Sequence, residues 1–276
     1  EVRRIVQRVS PTPVVEGAGV RLNRIFPTNQ LDFPDPFLLL DHFGSDNPAD
    51  YLAGFPMHPH RGIETVTYML AGAVRHKDSI GNSGMIEAGD VQWMTAGRGI
   101  LHEEMPESRL GHMEGFQLWV NLPAALKMTP PRYQEISADE IPVVQRDGAE
   151  VRVIAGAFHG HSGPVTDIAA DPTYLDVSLA AGTAFEEAVP RGHTAIAYAF
   201  RGGGAFGGDA LDATNLAILG DGDIVTARAG AGGLRFLLIS GQPRHEPIVR
   251  YGPFVMNTRA EILQTLADLQ DGTFIR

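Results

Sequence analysis

The sequence contains no cysteine among its 276 residues. That excludes a disulfide framework and thiolate metal sites, so any metal must be held by His, Asp or Glu, and a reducing, cytoplasmic compartment is expected. Positive charge is also scarce: 22 Lys and Arg stand against 33 Asp and Glu, a formal charge of −11. A field of that sign repels phosphate backbones and anionic lipid, which are bound through clustered Lys and Arg, so no direct nucleic-acid contact is expected. Long apolar runs are missing. The opening EVRRIVQRVSPTP lacks the apolar core of a signal peptide, and no stretch approaches about 18 uncharged apolar residues, so no membrane partner is expected. Helical periodicity is almost absent.

What fills the chain instead is turns and short apolar runs. Glycine (32) and proline (19) are plentiful, yet together they stay below the roughly 25–30% that marks low-complexity disorder. Between them lie runs rich in β-branched and aromatic residues, such as Thr65–Leu70, Gly89–Met94, Phe116–Leu122, Val151–Ala155, Ala195–Phe200 and Leu234–Ile239. A turn signal every 8–12 residues or so is the rhythm of a sandwich or barrel, so the fold class is all-β. The exception is Thr258-Arg259-Ala260-Glu261, a capping box followed by Ile262, Leu263, Leu266 and Leu269. It predicts a terminal helix near 258–270 that docks by those four residues.

The chain also echoes itself. Tyr68-Met69-Leu70-Ala71-Gly72 recurs as Tyr198-Ala199-Phe200-Arg201-Gly202, and Glu87-Ala88-Gly89-Asp90-Val91 resembles Gly220-Asp221-Gly222-Asp223-Ile224. Two copies of one β-domain follow, with the boundary expected between Gln134 and Val144: residues 1–134 and 135–276, the second ending in the helix.

Ligand-type side chains concentrate in FPMHPHRGIET and AGRGILHEEMP, where His58, His60, Glu64, His102, Glu103 and Glu104 lie close in sequence. Side chains on a strand alternate faces, so His58 and His60 share one face, His102 and Glu104 share one, and Glu103 points away. On neighbouring strands of a small barrel His58, His60, His102 and Glu104 converge on one point. Three imidazoles and a carboxylate suit Fe, Mn, Ni, Cu or Zn, and on a six-coordinate ion they leave two positions open. His159-Gly160-His161, in FHGHSGP, has no companion pair and reads as an exposed loop. Projecting the first motif through the repeat puts Ala188, Pro190 and Thr194 opposite His58, His60 and Glu64, with His102 and Glu104 falling near Arg235 and Leu237. The second copy then carries no ligand set, His193 being its one nearby histidine.

HPHRGIETVTYML, GDVQWMTAGRGILHEEMP, FQLWVNLP, YQEI and GPFVMNT together resemble the pirin family of the cupin superfamily, over nearly the whole chain. The resemblance implies a bicupin, two jelly-roll β-barrels with a short C-terminal helix. It also implies one divalent metal in the N-terminal barrel, held by His58, His60, His102 and Glu104. Fe(II) is the expected ion, and Mn, Ni, Cu, Co and Zn share its ligands. The general cupin pattern HxHxxxE would enlist Glu64, but pirins use the later carboxylate. Glu64 is therefore expected behind the ligands, steadying an imidazole, or in a salt bridge with Arg61 or Arg98.

The activity implied is that of a quercetin (flavonol) 2,3-dioxygenase, with a flavonol-like aromatic and O₂ as partners and Glu104 as the base that takes the substrate's 3-hydroxyl proton. Phe55, Met57, Trp93, Met94 and Phe116 are candidates for the pocket wall. The alternative implied by the same resemblance is a metal- or redox-responsive regulatory protein that binds a transcription factor or metabolic enzyme. An oxalate-type bicupin decarboxylase fits less well, because the second copy lacks ligands.

Overall fold

Alternating apolar and polar positions favour strands with one buried face, and strands dominate the structure, a computed structural model that describes residues 1–107 and 111–275. Each of the six runs named above lies in or overlaps a strand. The chain divides into two compact units. One comprises residues 13–24, 37–138 and 244–276, the other residues 1–12, 25–36 and 139–243. No helix among the described residues is long and apolar enough to cross a membrane.

In the first unit a seven-stranded sheet runs Arg132–Ile136, Val91–Thr95, Ile63–Ala71, Met113–Asn121, Phe37–Ser45, Val20–Phe26, Thr12–Glu16. A four-stranded sheet runs Phe55–His60, Ile100–Glu107, Ala73–Asp78, Ser83–Glu87. Val20, Leu22, Phe43, Met69 and Met113 from the first sheet and Val74 and Ile86 from the second form one buried cluster. Two sheets that share a core in this way make the jelly-roll barrel of a cupin.

The second unit is built around one nine-stranded sheet in which Thr194–Phe206 lies between Asn215–Leu219 and the 18-residue strand Ile224–Gly241. Strands this long must bend to enclose a core, and β-bulges between Ala199 and Arg201 and between Gly202 and Gly204 provide the bend. The enclosed face is the alternating set Ala195, Ala197, Ala199, Leu234, Phe236, Leu238, Val151, Val153, Leu175 and Val177.

Chain order and unit membership differ at the two ends. A single division at 134/135 keeps each end with its own half, whereas Ile5–Val9 pairs with Asn215–Leu219, in the unit of residues 139–243. The segment from Arg244, with the helix Arg259–Gln270, belongs with residues 37–138. The cause is pairing and packing: Val255 N donates to Arg61 O, and Phe254, Met256, Ile262 and Phe274 form a small core that Leu101 joins.

The helix begins as expected. Thr258 caps it, its hydroxyl accepting from Glu261 N while the Glu261 carboxylate takes Thr258 N. Three of the four expected residues, Ile262, Leu266 and Leu269, pack against that small core, whereas Leu263 is exposed and Thr265 and Asp268 are buried beside Ile262. Arg61 accounts for this: its guanidinium donates to Asp268 Oδ2 (2.7 Å) and Thr265 Oγ1 (3.1 Å), is buried with them, and stacks 4.4 Å from the Phe274 ring.

Candidate metal centre

His58 and His60 project from the strand Phe55–His60, and the neighbouring strand Ile100–Glu107 places His102 directly opposite His58. Along that second strand Ile100, His102 and Glu104 are buried and Leu101 and Glu103 are half-exposed, so the expected alternation holds. One atom from each of the three imidazoles lies within 4.8 Å of the others. Among the described residues no other group of three His, Cys, Asp or Glu gathers in this way.

The imidazoles suit a metal in tautomer as well as in position. His58 Nδ1 lies 2.9 Å from Pro56 O, a carbonyl that can only accept, so Nδ1 carries the proton and Nε2 the lone pair. That Nε2 is 3.1 Å from His60 Nε2. Two ligand nitrogens at about 2.1 Å from an ion and at right angles to each other are about 3.0 Å apart, so the pair is spaced for a shared ion. His102 is 1% exposed and neither of its ring nitrogens has a hydrogen-bond partner. An unpartnered buried imidazole is costly, and a metal is the partner that removes the cost.

Charge state points the same way. Burial, reinforced by the charge of His58, holds the His60 imidazole well below its usual pKa; burial and then His60 and His58 do the same to His102. Both are neutral at physiological pH, the form that binds metal.

Glu104 lies on the same wall as His58 and His60 but outside the group of three imidazoles. Its Oε1 accepts from the Thr67 hydroxyl (2.8 Å), and that hydroxyl lies 3.0 Å from Gln117 Oε1. One hydroxyl proton serves one acceptor, so a Gln117 amide turned to present its NH₂ completes a chain from Gln117 through Thr67 to Glu104. Glu64 is buried, and its carboxylate accepts from Thr95 Oγ1 (2.8 Å) on the neighbouring strand. It neither steadies an imidazole nor pairs with Arg61 or Arg98. Burial raises its pKa against the pull of the Thr95 hydrogen bond.

His58 and His60, with Glu104, line a cavity of about 420 Å³, within the range of small-molecule sites. Of the five wall candidates, only Phe55 lines it. Trp93, Met94 and Phe116 are fully buried in the sheet, and Met57 is 43% exposed to solvent. The wall is instead made by Leu22, Leu39, Phe43 and Trp119, together with Arg24, Asp41 and Arg250. Arg24 lies between two carboxylates, donating to both Asp41 oxygens (2.9 and 2.8 Å) and to Glu16 (2.7 Å).

The turn that carries His60 is pinned from below. Gly62 has φ +82°, and a Cβ there would meet Val255 O at 2.0 Å, so glycine is required. Buried Lys127 donates to Gly62 O (2.9 Å), Val255 O (2.8 Å) and Asn121 Oδ1 (2.8 Å), satisfying all three ammonium protons. Burial lowers the Lys127 pKa to about 8 from 10.5. Between those values the folded chain releases the proton before the unfolded chain does, so this group makes stability rise with pH across that window. Chemical denaturation at pH 7 and 9 should show a rise of roughly 1 kcal/mol in the wild type that Lys127→Met lacks. Equal slopes in the two proteins would contradict the assignment.

In the second unit, Ala184–Ala188 pairs with Ile224–Gly241 much as Phe55–His60 pairs with Ile100–Glu107. Ala188 opposite Ile224 matches His60 opposite Ile100, so the counterparts of His58, His102 and Glu104 are Glu186, Thr226 and Arg228. Projection near Arg235 and Leu237 is thereby corrected. The Gly222-Asp223 turn leads into a different strand from Gly89-Asp90, since Tyr68 pairs with Val91 but Tyr198 pairs with Leu216. His159-Gly160 forms the turn of a short hairpin in which His161 pairs with Phe158, and all three of His159, Gly160 and His161 are exposed.

Comparison with known proteins gives a consistent result. Residues 19–120 match the pirin family pattern and residues 174–275 match the pirin C-terminal cupin domain. A pirin-like protein of Caulobacter vibrioides is 50% identical over 275 residues, spanning 99% of each chain. A Pseudomonas aeruginosa protein whose name proposes quercetin 2,3-dioxygenase activity is 46% identical, spanning 94% of each. The crystal structure of a quercetin 2,3-dioxygenase from Acinetobacter baumannii superposes with a TM-score of 0.91 at 37% identity, over 99% of each chain.

Proposed function

The chain belongs to the pirin family of bicupins, and from that premise we propose that it is a metal-dependent flavonol dioxygenase, a quercetin 2,3-dioxygenase, whose ion is held by His58, His60, His102 and Glu104. The observation that carries this reading is the convergence of three imidazoles, of which His58 and His60 stand on the wall of a cavity that Leu22, Leu39, Phe43, Phe55 and Trp119 also line. Such a wall accepts a planar aromatic and excludes water from its chelating oxygens.

When bound, a divalent metal such as Fe(II) supplies a Lewis acid for the flavonol's oxygens and open positions that bring it together with O₂. The residues do the rest. His58, His60 and His102, fixed on two paired strands, would hold the ion. Glu104 takes the 3-hydroxyl proton: Thr67 engages its Oε1 and leaves Oε2 for the ion or the proton. A carboxylate that moves off an ion to accept a proton can serve as ligand and base in turn. Overall, the flavonol gains both atoms of O₂, its central ring opens and carbon monoxide leaves.

Glu104→Gln keeps the shape of the side chain and removes the base. With metal content matched to the wild type, quercetin-dependent O₂ uptake should fall by about 10²-fold. Uptake at the wild-type rate would remove Glu104 as base. Fe(II)-loaded wild type that leaves quercetin and related flavonols unchanged would overturn the enzymatic reading.

A further inference from the structure

The hydrogen bond from the Thr67 hydroxyl to Glu104 Oε1 (2.8 Å) joins the two sheets of the first unit: Thr67 stands on Ile63–Ala71 of the seven-stranded sheet, Glu104 on the strand of the four-stranded sheet that also carries His102. Both residues are buried, and among the described residues no other hydrogen bond reaches the Glu104 carboxylate. A hydroxyl rotates about its C–O bond, so it fixes a carboxylate only if something fixes the hydroxyl. Two amides flank Thr67 on the neighbouring strands, Gln92 on one side and Gln117 on the other. Gln92 Nε2 is committed to Glu135 Oε1 (3.3 Å), whereas the Gln117 amide, on the cavity wall with Glu104, lies 3.0 Å from Thr67 Oγ1. With its NH₂ toward Thr67, Gln117 donates to the hydroxyl oxygen and leaves the hydroxyl proton a single acceptor, Glu104. Beyond the carboxylate itself this chain carries no charge. A cation in the same place would compete with the ion for Glu104, and His76, paired with Glu104 across the next strand, is 2.8 Å from Glu135 Oε1 instead. A hydroxyl held by an amide sets the direction of the carboxylate and leaves its negative charge for a metal.

We propose that Gln117 and Thr67 are positioning residues for Glu104: the Gln117 amide points the Thr67 hydroxyl at Oε1, and that bond holds Oε2 toward the ion bound by His58, His60 and His102. The inference rests on Glu104 as the fourth ligand, as proposed above, and adds what places it there. Gln117 acts only through Thr67, so the two residues work as one unit.

Metal binding without substrate tests this. Metal-free protein is titrated with Co(II), whose visible absorption reports the number and placement of its ligands. Thr67→Val and Gln117→Leu should each weaken Co(II) binding by about tenfold, the low end for groups that orient a ligand, and Glu104→Gln by more than either. The absorption band should change in both positioning variants, and Thr67→Ser, which keeps the hydroxyl, should restore the wild-type affinity and band. The double variant Thr67→Val with Gln117→Leu should bind no more weakly than Thr67→Val alone, because a residue that acts through another has nothing left to act on. Gln117 is half-buried, so Gln117→Leu beside Thr67→Ser keeps the test open if Thr67→Val does not fold. Wild-type affinity and band in Gln117→Leu, or losses that add in the double variant, would overturn the proposal and leave Glu104 a ligand. Wild-type affinity in Glu104→Gln would remove Glu104 from the ion, and the positioning role with it.

Discussion

His102→Ala is expected to empty the metal centre. Affinity for the ion should fall by at least about 100-fold, since changes even to groups behind a ligand cost 10–100-fold, and flavonol-dependent O₂ uptake should drop to background. His102 is the most revealing of the three because its ring, 4.4 Å from His58 and 5.1 Å from His60 between centroids, has no hydrogen bond to lose. Without metal, its burial is a cost to the fold rather than a support. The metal-free variant should therefore unfold within about 1 kcal/mol of the metal-free wild type, the vacated volume offsetting the relief. Adding metal at about 100 times its dissociation constant should stabilise the wild type by about 2.7 kcal/mol and the variant by no more than about 0.4 kcal/mol. Metal content after dialysis and denaturation with and without ion test both halves. Unchanged metal content in His102→Ala would sink the ligand assignment.

Much of this site was legible in the sequence because strand parity is local. His58-Pro59-His60 and His102-Glu103-Glu104 need only an extended backbone to show which side chains share a face, and the structure pairs the strands so that His102 faces His58. The fold class followed from turn rhythm and from the echo of Tyr68 by Tyr198, both on central strands of their sheets. The second echo misled, because a Gly-Asp turn says where a strand begins and not what it pairs with. The pocket wall was the least legible part. Trp93, Met94 and Phe116 are apolar and near the ligands in sequence, yet all three are fully buried and none lines the cavity, whereas Trp119 shares a parity with Gln117 that the run FQLWVNLP displays. Arg250 could not be found this way, since it lies 190 positions after His60 and reaches the cavity only because the C-terminal segment folds back onto residues 37–138. For the same reason the helix face was misjudged at Leu263: amphipathic counting rewards leucine, and nothing local announces that Asp268 is the buried partner of Arg61.

That ion pair supplies the largest expected loss of stability. Arg61 follows His60 directly, and its guanidinium and Asp268 are 3% and 7% exposed at the side chain, 2.7 Å apart. Two charges taken out of water cost several kcal/mol each, and only their mutual attraction and hydrogen bonds offset it. Arg61 Nε donates to Arg98 O and Nη1 also reaches Thr265 Oγ1, and Gln264 donates to the second Asp268 oxygen (2.9 Å). Asp268→Ala leaves the guanidinium buried without its counter-ion and should destabilise the protein by about 3–5 kcal/mol. Arg61→Met with Asp268→Leu removes both charges and should recover a large part of that loss, because apolar side chains of similar size avoid the desolvation cost. Chemical denaturation of the two variants beside the wild type decides the matter. If Asp268→Ala unfolds within 1 kcal/mol of the wild type, roughly the worth of a surface pair, the pair does not anchor the helix. Because Arg61 also holds the turn after His60, the single variant should release metal faster than the wild type, whereas an anchor confined to the helix would leave release unchanged. The double variant then separates charge from position: if it regains stability but not metal retention, the guanidinium's hydrogen bond to Arg98 O, rather than the ion pair, sets the place of the His60 imidazole.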